Sequence, residues 1–311
     1  MKLKNNVFVC TRPIQYLNLK GIVEKNKKEV NNILFVFANF NKGEEFTQAI
    51  KKNENCWNEV YFINSKFDLI KKFFIIKIYN LYLSNDLGFN YLISVLSFSK
   101  HVYVYEEGWA TYMKISEKAT FKVSIQKYLY NIFGSGDHIG NSINTDGVIV
   151  YNSNLYKKNF PKYSKKVISF KNNFITQIEN EQFFFNNLYK YKDEIDFSNK
   201  KILIYATGWQ IDQKVLKEIK EIKDEFDFIF LKLHPHIKNN NLKDYFFITL
   251  KQNVMLEFYL QELLKKGNEV TVFHDNSFSV LYFNNQIKTK NIGRFRKAYC
   301  DIEKLYINHI D

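Results

Sequence analysis

Cysteine, proline, glycine and arginine are all sparse in this chain of 311 residues. The three cysteines, Cys10, Cys56 and Cys300, are an odd number with no close spacing. That argues against a disulfide framework and against a zinc knuckle, and it reads as a reducing compartment. With 3 Pro and 11 Gly, collagenous and linker-rich architectures are excluded. Arg12, Arg294 and Arg296 are the only arginines among 45 basic residues. The guanidinium fork reads guanine and grips phosphate, and the lysines are scattered rather than gathered in an arm. The expectation is therefore no nucleic-acid partner. No apolar run approaches the roughly 18–20 residues needed to span a bilayer. The nearest, Phe67 to Leu83, is interrupted by Asp68, Lys71, Lys72 and Lys77. The apolar opening is broken by Arg12 and Pro13, where the hydrophobic region of a signal peptide would continue. A soluble or peripheral protein is expected.

What is present is ordinary in bulk: 46% hydrophobic and 25% charged residues, enough apolar surface to offset the entropy of ordering. The 17% aromatic content rises together with Lys, Asn and Ile, and reads as codon bias in an AT-rich genome. The net charge of +13 favours acidic partners, such as anionic lipid or phosphorylated substrates. The length predicts two domains or one large one.

Short apolar runs alternate with longer mixed segments, the pattern of strands and crossover helices in an α/β protein. Strands are expected at Val7–Cys10, Ile33–Ala38, Val60–Ile63, His101–Tyr105 and Gly147–Tyr151. Helices are expected at Ile14–Lys25, Lys66–Leu83 and Lys122–Phe133. A second run begins at Lys200, with strands at Lys201–Tyr205, Phe226–Leu233 and Val270–Phe273. Its helices are expected at Gln213–Asp224, Val254–Lys266 and from Ser277 to Phe283. The intervening Asn152–Asn199 is polar and reads as a linker with one or two helices. The domain expectation is 1–160, a linker at 161–199, and 200–311, forming two Rossmann-like domains that face a cleft.

In such sheets ligands sit beyond the carboxyl ends of the strands. Three polar groups fall there. Glu106 and Glu107 follow the strand His101–Tyr105, and Gly108 permits a sharp turn. Adjacent carboxylates at a lip repel, which raises the pKa of one towards general-base work; the plain alternative is a solvated turn. His234, before Pro235, projects from a strand end. There its imidazole can bind phosphate, donate a proton, or simply cap the strand. A metal held by His234 and His236 lacks a third ligand at suitable spacing. Ser277 and Ser279, after Asp275 and Asn276, stand at an expected helix N-terminus, an anion site or an ordinary cap. Thr207 and Gly208 end the strand Lys201–Tyr205.

Other features are weaker. Gly134-Ser135-Gly136-Asp137-His138-Ile139-Gly140 has its third glycine one position late and follows a helix, so it is not a dinucleotide fingerprint. His101, His138, His274 and His309 are isolated and read as structural. Lys71, Lys72 and Lys77 with Phe73, Phe74, Ile75 and Ile76 read either as a membrane-surface helix or as core packing with snorkelling lysines.

The three strand-end groups, in this order, resemble bacterial sialyltransferases of the two-Rossmann GT-B type. These carry an acidic-acidic-Gly motif, then His-Pro, then a Ser/Thr motif. Here the motifs are Glu106-Glu107-Gly108, His234-Pro235 and Ser277-Phe278-Ser279. The opening Cys10-Thr11-Arg12-Pro13-Ile14-Gln15 is similar to the Cys-x-Thr-Pro-x-Gln start of glycosyltransferase family 52, the lipooligosaccharide sialyltransferases, with Arg12 inserted. The departures are Glu where the second acid is often Asp, and serines split by Phe278.

The resemblance implies metal-independent, inverting transfer of sialic acid from CMP-sialic acid to a terminal sugar of a lipooligosaccharide or capsule glycan, with no cofactor. It makes Glu106 the general base, with Glu107 and Gly108 supporting it or binding the acceptor. His234 and Ser277 become phosphate ligands, with Pro235, Ser279, Thr207, Gly208 and Asn276 lining the donor site. It also implies a homodimer; such a transferase is expected at the inner face of the cytoplasmic membrane, and the lysines not given to the nucleotide phosphate can be assigned to anionic lipid headgroups and acidic glycan acceptors. Two alternatives stand beside it: the same fold with another CMP- or UDP-sugar donor, and a non-catalytic protein that binds polyanions or membrane surfaces.

Overall fold

The structure is a computed structural model and describes residues 4–25, 30–37, 40, 42–113, 134, 136–235, 237, 247–283 and 285–293. The chain divides into two compact units, with the break between Gln177 and Ile178. The first contains β1 (Lys4–Cys10), α1 (Pro13–Lys25), β2 (Val30–Phe37), α2 (Gly43–Asn53), β3 (Glu59–Ile63) and α3 (Lys66–Ile75). It continues through β4 (Ile78–Leu83), α4 (Phe89–Leu96), β5 (His101–Tyr105), β6 (Gly147–Val150), α5 (Ser153–Asn159) and β7 (Lys166–Ser169). The break falls within the next helix, α6 (Phe174–Tyr189).

All pairings in this first sheet are parallel, in the order β3-β2-β1-β4-β5-β6-β7. A parallel sheet covered by helices is buried on both faces, so its strands carry continuous apolar runs. Val7 to Cys10 and Ile33 to Phe37 are buried without a break. Leu69 and Phe73 of α3 and Ile93 of α4 pack with Val7, Phe35, Leu81 and Val102 in one core cluster. At the other end of the strands, side-chain amides cross the sheet. Asn80 Nδ2 donates to Asn6 Oδ1 at 2.8 Å, and Asn6 Nδ2 donates to Asn32 Oδ1 at 3.4 Å. These residues are register partners, so a one-residue slip would break the chain of amides.

The expected helix Lys66–Leu83 is a helix followed by a strand. After α3, Ile76 turns extended (φ −99°, ψ 119°), and Ile78–Leu83 enters the sheet between β1 and β5. β-branched and aromatic residues at 78, 79 and 82 suit the pleated surface. The correction matters for function, because β4 creates the point beside β1 where strand order reverses.

The second unit contains β8 (Lys201–Ala206), α7 (Gln213–Ile222), β9 (Phe228–Lys232), β10 (Ile248–Thr249), α8 (Leu256–Lys265), β11 (Glu269–His274) and β12 (Lys288–Asn291). Its sheet is also parallel, in the order β10-β9-β8-β11-β12. Leu203, Tyr205, Leu216, Ile219, Leu231 and Phe273 form its core against α7. The short edge strands β7, β10 and β12 are additions to the sequence reading. The helix expected from Ser277 is instead a single 3₁₀ stretch, Phe278–Phe283. The expected helix Lys122–Phe133 lies outside the described residues, as do Ser135, His236, Arg294, Arg296, Cys300 and His309. Among the described residues, no helix is long and apolar enough to cross a membrane. Both units are Rossmann-like, and the fold class is α/β of the GT-B type.

Candidate functional site

In each sheet the strand order reverses beside the first strand of the unit, and ligand sites of open α/β sheets form beyond the carboxyl ends there. In the first unit this point lies between β1 and β4, whose ends deliver Thr11, Arg12 and Asn85. β5 ends alongside with the acidic pair.

The two carboxylates have different surroundings. Glu106 is wholly buried. Its Oε2 accepts a hydrogen bond from the Tyr112 hydroxyl and one from the Tyr151 N–H at 2.9 Å. Its main-chain N–H donates to Ile149 O at 2.9 Å, and its carbonyl accepts from Asn18 Nδ2 at 2.8 Å. A buried carboxylate needs hydrogen-bond donors, and Tyr112 and Tyr151 supply two of them to Oε2. Gly108 makes the arrangement feasible. At φ 87° it turns the chain back, so that the 3₁₀ segment Trp109–Tyr112 returns Thr111 Oγ1 to the Glu107 N–H at 2.8 Å.

Glu107 is the carboxylate that reaches solvent, with its side chain 17% exposed. Gln15 Nε2 donates to Oε1 at 3.2 Å and Asn85 Nδ2 to Oε2 at 2.9 Å, while the Arg12 guanidinium stands 3.9 Å from Oε1. Gln15 is itself oriented: its Oε1 accepts from the Thr11 N–H at 2.7 Å and the Thr11 hydroxyl at 2.9 Å. Asn85 Oδ1 accepts from Asn90 Nδ2 at 2.7 Å. An ionised carboxylate has about four acceptor positions, and two amides leave room for an incoming hydroxyl. The lip position expected of both acids is thus occupied by Glu107 and not by Glu106.

In the second unit the reversal lies between β8 and β11. Thr207 and Gly208 end one strand, and Asp275 and Asn276 follow the other. Gly208 is required by close approach, because a Cβ there would lie 1.8 Å from Asp275 Oδ2. Asn276 takes a left-handed φ of 51°, its Nδ2 donating to Asp275 Oδ1 at 3.0 Å and its Oδ1 accepting from Asn291 Nδ2 at 3.2 Å. His234, beyond β9, is half-buried and positioned from three sides. Its N–H donates to Thr207 Oγ1 at 2.9 Å, and its carbonyl accepts from Gln252 Nε2 at 2.6 Å. The exposed Trp209 ring stacks on the imidazole at 5.3 Å and 23°. Pro235 is exposed.

The serines differ from expectation. No α-helix begins at Ser277, and its N–H donates to His274 Nδ1 at 3.1 Å, so the N–H is not held open for an anion. The Ser279 hydroxyl donates to Glu257 Oε1 at 2.5 Å. Glu257 is buried at the start of α8, and burial raises its pKa. The neighbouring Lys232 amine donates to Gln252 O at 3.0 Å, and burial lowers its pKa to about 8. Lys232, Glu257 and Ser279 therefore form a support beneath the strand ends, with Gln252 linking Lys232 to the His234 carbonyl.

His274 is fully buried, and desolvation lowers its pKa to about 4. Its Nδ1 accepts from Ser277, so the neutral ring is the folded form. The unfolded chain binds the extra proton between about pH 6.5 and 4, so stability contributed by this group is complete above 6.5 and is lost as pH falls towards 4. At pH 5 the loss is about 2 kcal/mol. His274→Asn retains an acceptor near Nδ1 and cannot titrate, so its melting temperature is expected to fall less between pH 7 and 5 than that of the wild type. Equal falls would remove His274 from the acid response.

Among the described residues, no group of three or more His, Cys, Asp or Glu side chains could hold a metal ion. His138 stacks on Phe160 at 3.8 Å, and His101 Nδ1 lies 3.5 Å from Asp146. The Gly134–Gly140 loop is pinned by buried Asp86, which accepts from the Gly140 N–H, the Ser142 N–H and the Thr145 hydroxyl at 2.7–2.9 Å. Asn85, Asn18, Trp209 and Gln252 were not expected as site residues. Each is a lone amide or ring without a motif around it.

No protein-family model matches the sequence, and no curated protein matches it either. Solved structures do match in fold. An α/β-galactoside α-2,3-sialyltransferase from the luminous marine bacterium Photobacterium phosphoreum shares 12% identity over 100% of this chain and 97% of its own, with a TM-score of 0.59. A UDP-GlcNAc 2-epimerase from Neisseria meningitidis, bound to UDP-GlcNAc, shares 12% over 98% of this chain and 91% of its own, with a TM-score of 0.56. The wall teichoic acid polymerase TagF shares 14% over 100% and 82%, with a TM-score of 0.50. At such identities the likeness is one of fold. The finer resemblance to family 52 rests on the motifs alone.

Proposed function

We propose that the protein is a glycosyltransferase that moves sialic acid from CMP-sialic acid to a terminal sugar hydroxyl of a lipooligosaccharide or capsule glycan, with inversion. The observation that carries the reading is the meeting of Gln15 with Glu107, 92 residues apart in sequence. The opening motif resembles that of glycosyltransferase family 52 and the acidic motif that of GT-B bacterial sialyltransferases, and their side chains are hydrogen-bonded to each other.

In this reading Glu107 takes the acceptor proton, a role the motif resemblance gave to Glu106. Glu106 instead fixes the turn that aims Glu107, through Tyr112 and Tyr151. The acceptor oxygen attacks the anomeric carbon as the bond to the CMP phosphate breaks, and the phosphate leaves with the electron pair. Negative charge grows on that phosphate, where donors preorganised for the transition state have most effect. His234 is the candidate donor, braced by Thr207, Gln252 and Trp209. The Ser277 hydroxyl is the second phosphate ligand, and Ser279 acts through Glu257.

The second reading keeps the fold and changes the donor, since a neighbour of the same fold is a UDP-GlcNAc enzyme. Thermal-shift titration with CMP, UDP and GDP separates the two. CMP at about 100 times its Kd stabilises the folded protein by about 2.7 kcal/mol, and UDP and GDP give little. Stabilisation by UDP without CMP would overturn the sialyl assignment.

A further inference from the structure

Unit 1 carries apolar side chains on the side of two helices turned away from its core. Phe67, Phe74, Ile75, Leu92, Val95 and Phe98 are between 40% and 80% exposed. On α3, Phe67, Lys71 and Phe74 recur at four and three residues and share one face, opposite the buried Leu69 and Phe73. On α4, Leu92 and Val95 do the same opposite the buried Ile93. The rings of Phe74 and Phe98 meet at 6.0 Å and join the two helices into one surface. A helix that is apolar on both faces needs a cover on each, and the sheet covers only one.

The rim of the patch is cationic. Lys71, Lys77 and Lys100 are exposed, and the Lys4 and Lys100 amines lie 4.4 and 5.1 Å from the Tyr79 ring centroid. Tyr61 to Lys100 contains five lysines and only two acidic residues, Asp68 and Asp86. Asp86 is buried under its three donors, and the Asp68 carboxylate accepts from Ser65 Oγ at 2.8 Å. Phe74 and Ile75 come just before β4, and Phe98 just before β5. The densest part of the patch therefore lies where the strands begin, at the opposite end of the sheet from Glu107.

We propose that this α3–α4 surface docks on an anionic lipid bilayer. Phe74, Ile75 and Phe98 enter the boundary between headgroups and acyl chains, and Lys4, Lys71, Lys77 and Lys100 meet the headgroups. Aromatic and aliphatic residues surrounded by lysines match that layer in depth and in charge, and the lysine stems snorkel. A second copy of the chain is the poorer occupant, since two such cationic rims would repel. The inference uses no residue of the strand-end site, so it stands independently of the transferase reading. It provides a physical surface for the expected membrane localisation.

Flotation of the full chain with vesicles of equal phosphatidylglycerol and phosphatidylcholine, against phosphatidylcholine alone, tests it. The wild type floats with the anionic vesicles and only weakly with neutral ones. Lys71→Gln, Lys77→Gln and Lys100→Gln each lower the partition about fivefold at low salt. The triple variant Phe74→Ser, Ile75→Ser, Phe98→Ser lowers it at least tenfold and keeps the wild-type melting temperature, because the altered side chains are exposed. CMP binding, measured alongside on every variant, stays at its wild-type value, so the fate of the transferase reading is scored separately. Unchanged flotation of the triple variant overturns the proposal, as does a wild type that ignores anionic vesicles. A dimer that these substitutions dissociate, without vesicle binding, overturns it in favour of a second copy.

Discussion

Glu107→Gln is expected to lower the rate of sugar transfer by about 10²–10⁴, the range by which a positioned base accelerates proton transfer, while the melting temperature barely moves. The substitution keeps the shape of the side chain and one acceptor for Asn85 Nδ2, and its site is partly open to solvent. What it removes is the second oxygen's ability to take a proton from an acceptor hydroxyl. Glu106→Gln should behave in the opposite manner. Its carboxylate is buried, and one oxygen accepts from both the Tyr112 hydroxyl and the Tyr151 N–H. A replacement amide keeps that oxygen and buries an NH₂ group in place of the other, at a cost of about 1–3 kcal/mol. Activity then falls through loss of the turn that aims Glu107, and cooling or a stabilising nucleotide should recover part of it. Turnover by Glu107→Gln within tenfold of wild type would remove Glu107 as the base. A large loss in Glu106→Gln, at unchanged stability and not recovered on cooling, would return the role to Glu106.

The reason this pair could not be resolved from sequence is physical. In a strand exposed on one face, alternation decides which of two neighbours points inward. In β5 His101 and Tyr103 are half-buried while Val102 and Val104 are buried, but Tyr105 is buried too and the chain turns at Gly108, so the alternation is lost before it reaches Glu106 and Glu107. What decides is Tyr112 and Tyr151, residues brought back by the turn and by β6. β1, β2, β8 and β9 were legible because double burial demands continuous apolar runs, and β5 and β11, whose buried runs are interrupted, because they are rich in β-branched and aromatic residues. β4 was not, since Ile75, Ile76 and Ile78 run from helix to strand without a glycine, proline or asparagine to mark the boundary. Its place is set by register with β1 and β5. With β4 hidden, the reversal of strand order beside β1 was hidden too, and Asn85 with it. The short polar edge strands β7, β10 and β12 carry too few apolar residues to register as a pattern. The His-Pro motif, by contrast, was readable because it stands just beyond a buried strand. The amide that braces it, Gln252, comes from a separate loop 18 residues further on.

His234→Ala is the second large expected effect, a loss of about 10²–10³ in kcat/KM for the donor, comparable to removing one donor from an oxyanion site. The main chain at this position is held independently of the ring, since the N–H is tied to Thr207 Oγ1 and the carbonyl to Gln252. The alanine variant therefore keeps the turn and loses only the imidazole. If the imidazole acts on charge that develops during bond breaking, kcat falls and CMP affinity changes little. If it binds the ground-state phosphate equally well, KM and CMP affinity weaken together and kcat is preserved. Trp209→Ala provides the control, because the indole stacks on the imidazole ring. It should give a smaller loss in the same direction, as an imidazole without its stacking partner samples other rotamers. Gln252→Ala acts on the opposite side, freeing the carbonyls of His234 and Ile237 at once. Its loss should resemble that of His234→Ala in kind while also lowering stability, as two partly buried carbonyls lose their donor. Unimpaired donor turnover by His234→Ala would remove the residue from the mechanism and leave the Ser277 hydroxyl as the second unit's phosphate ligand. A parallel fall in Trp209→Ala and Gln252→Ala would place the productive state in the orientation of the ring, which the three contacts together enforce.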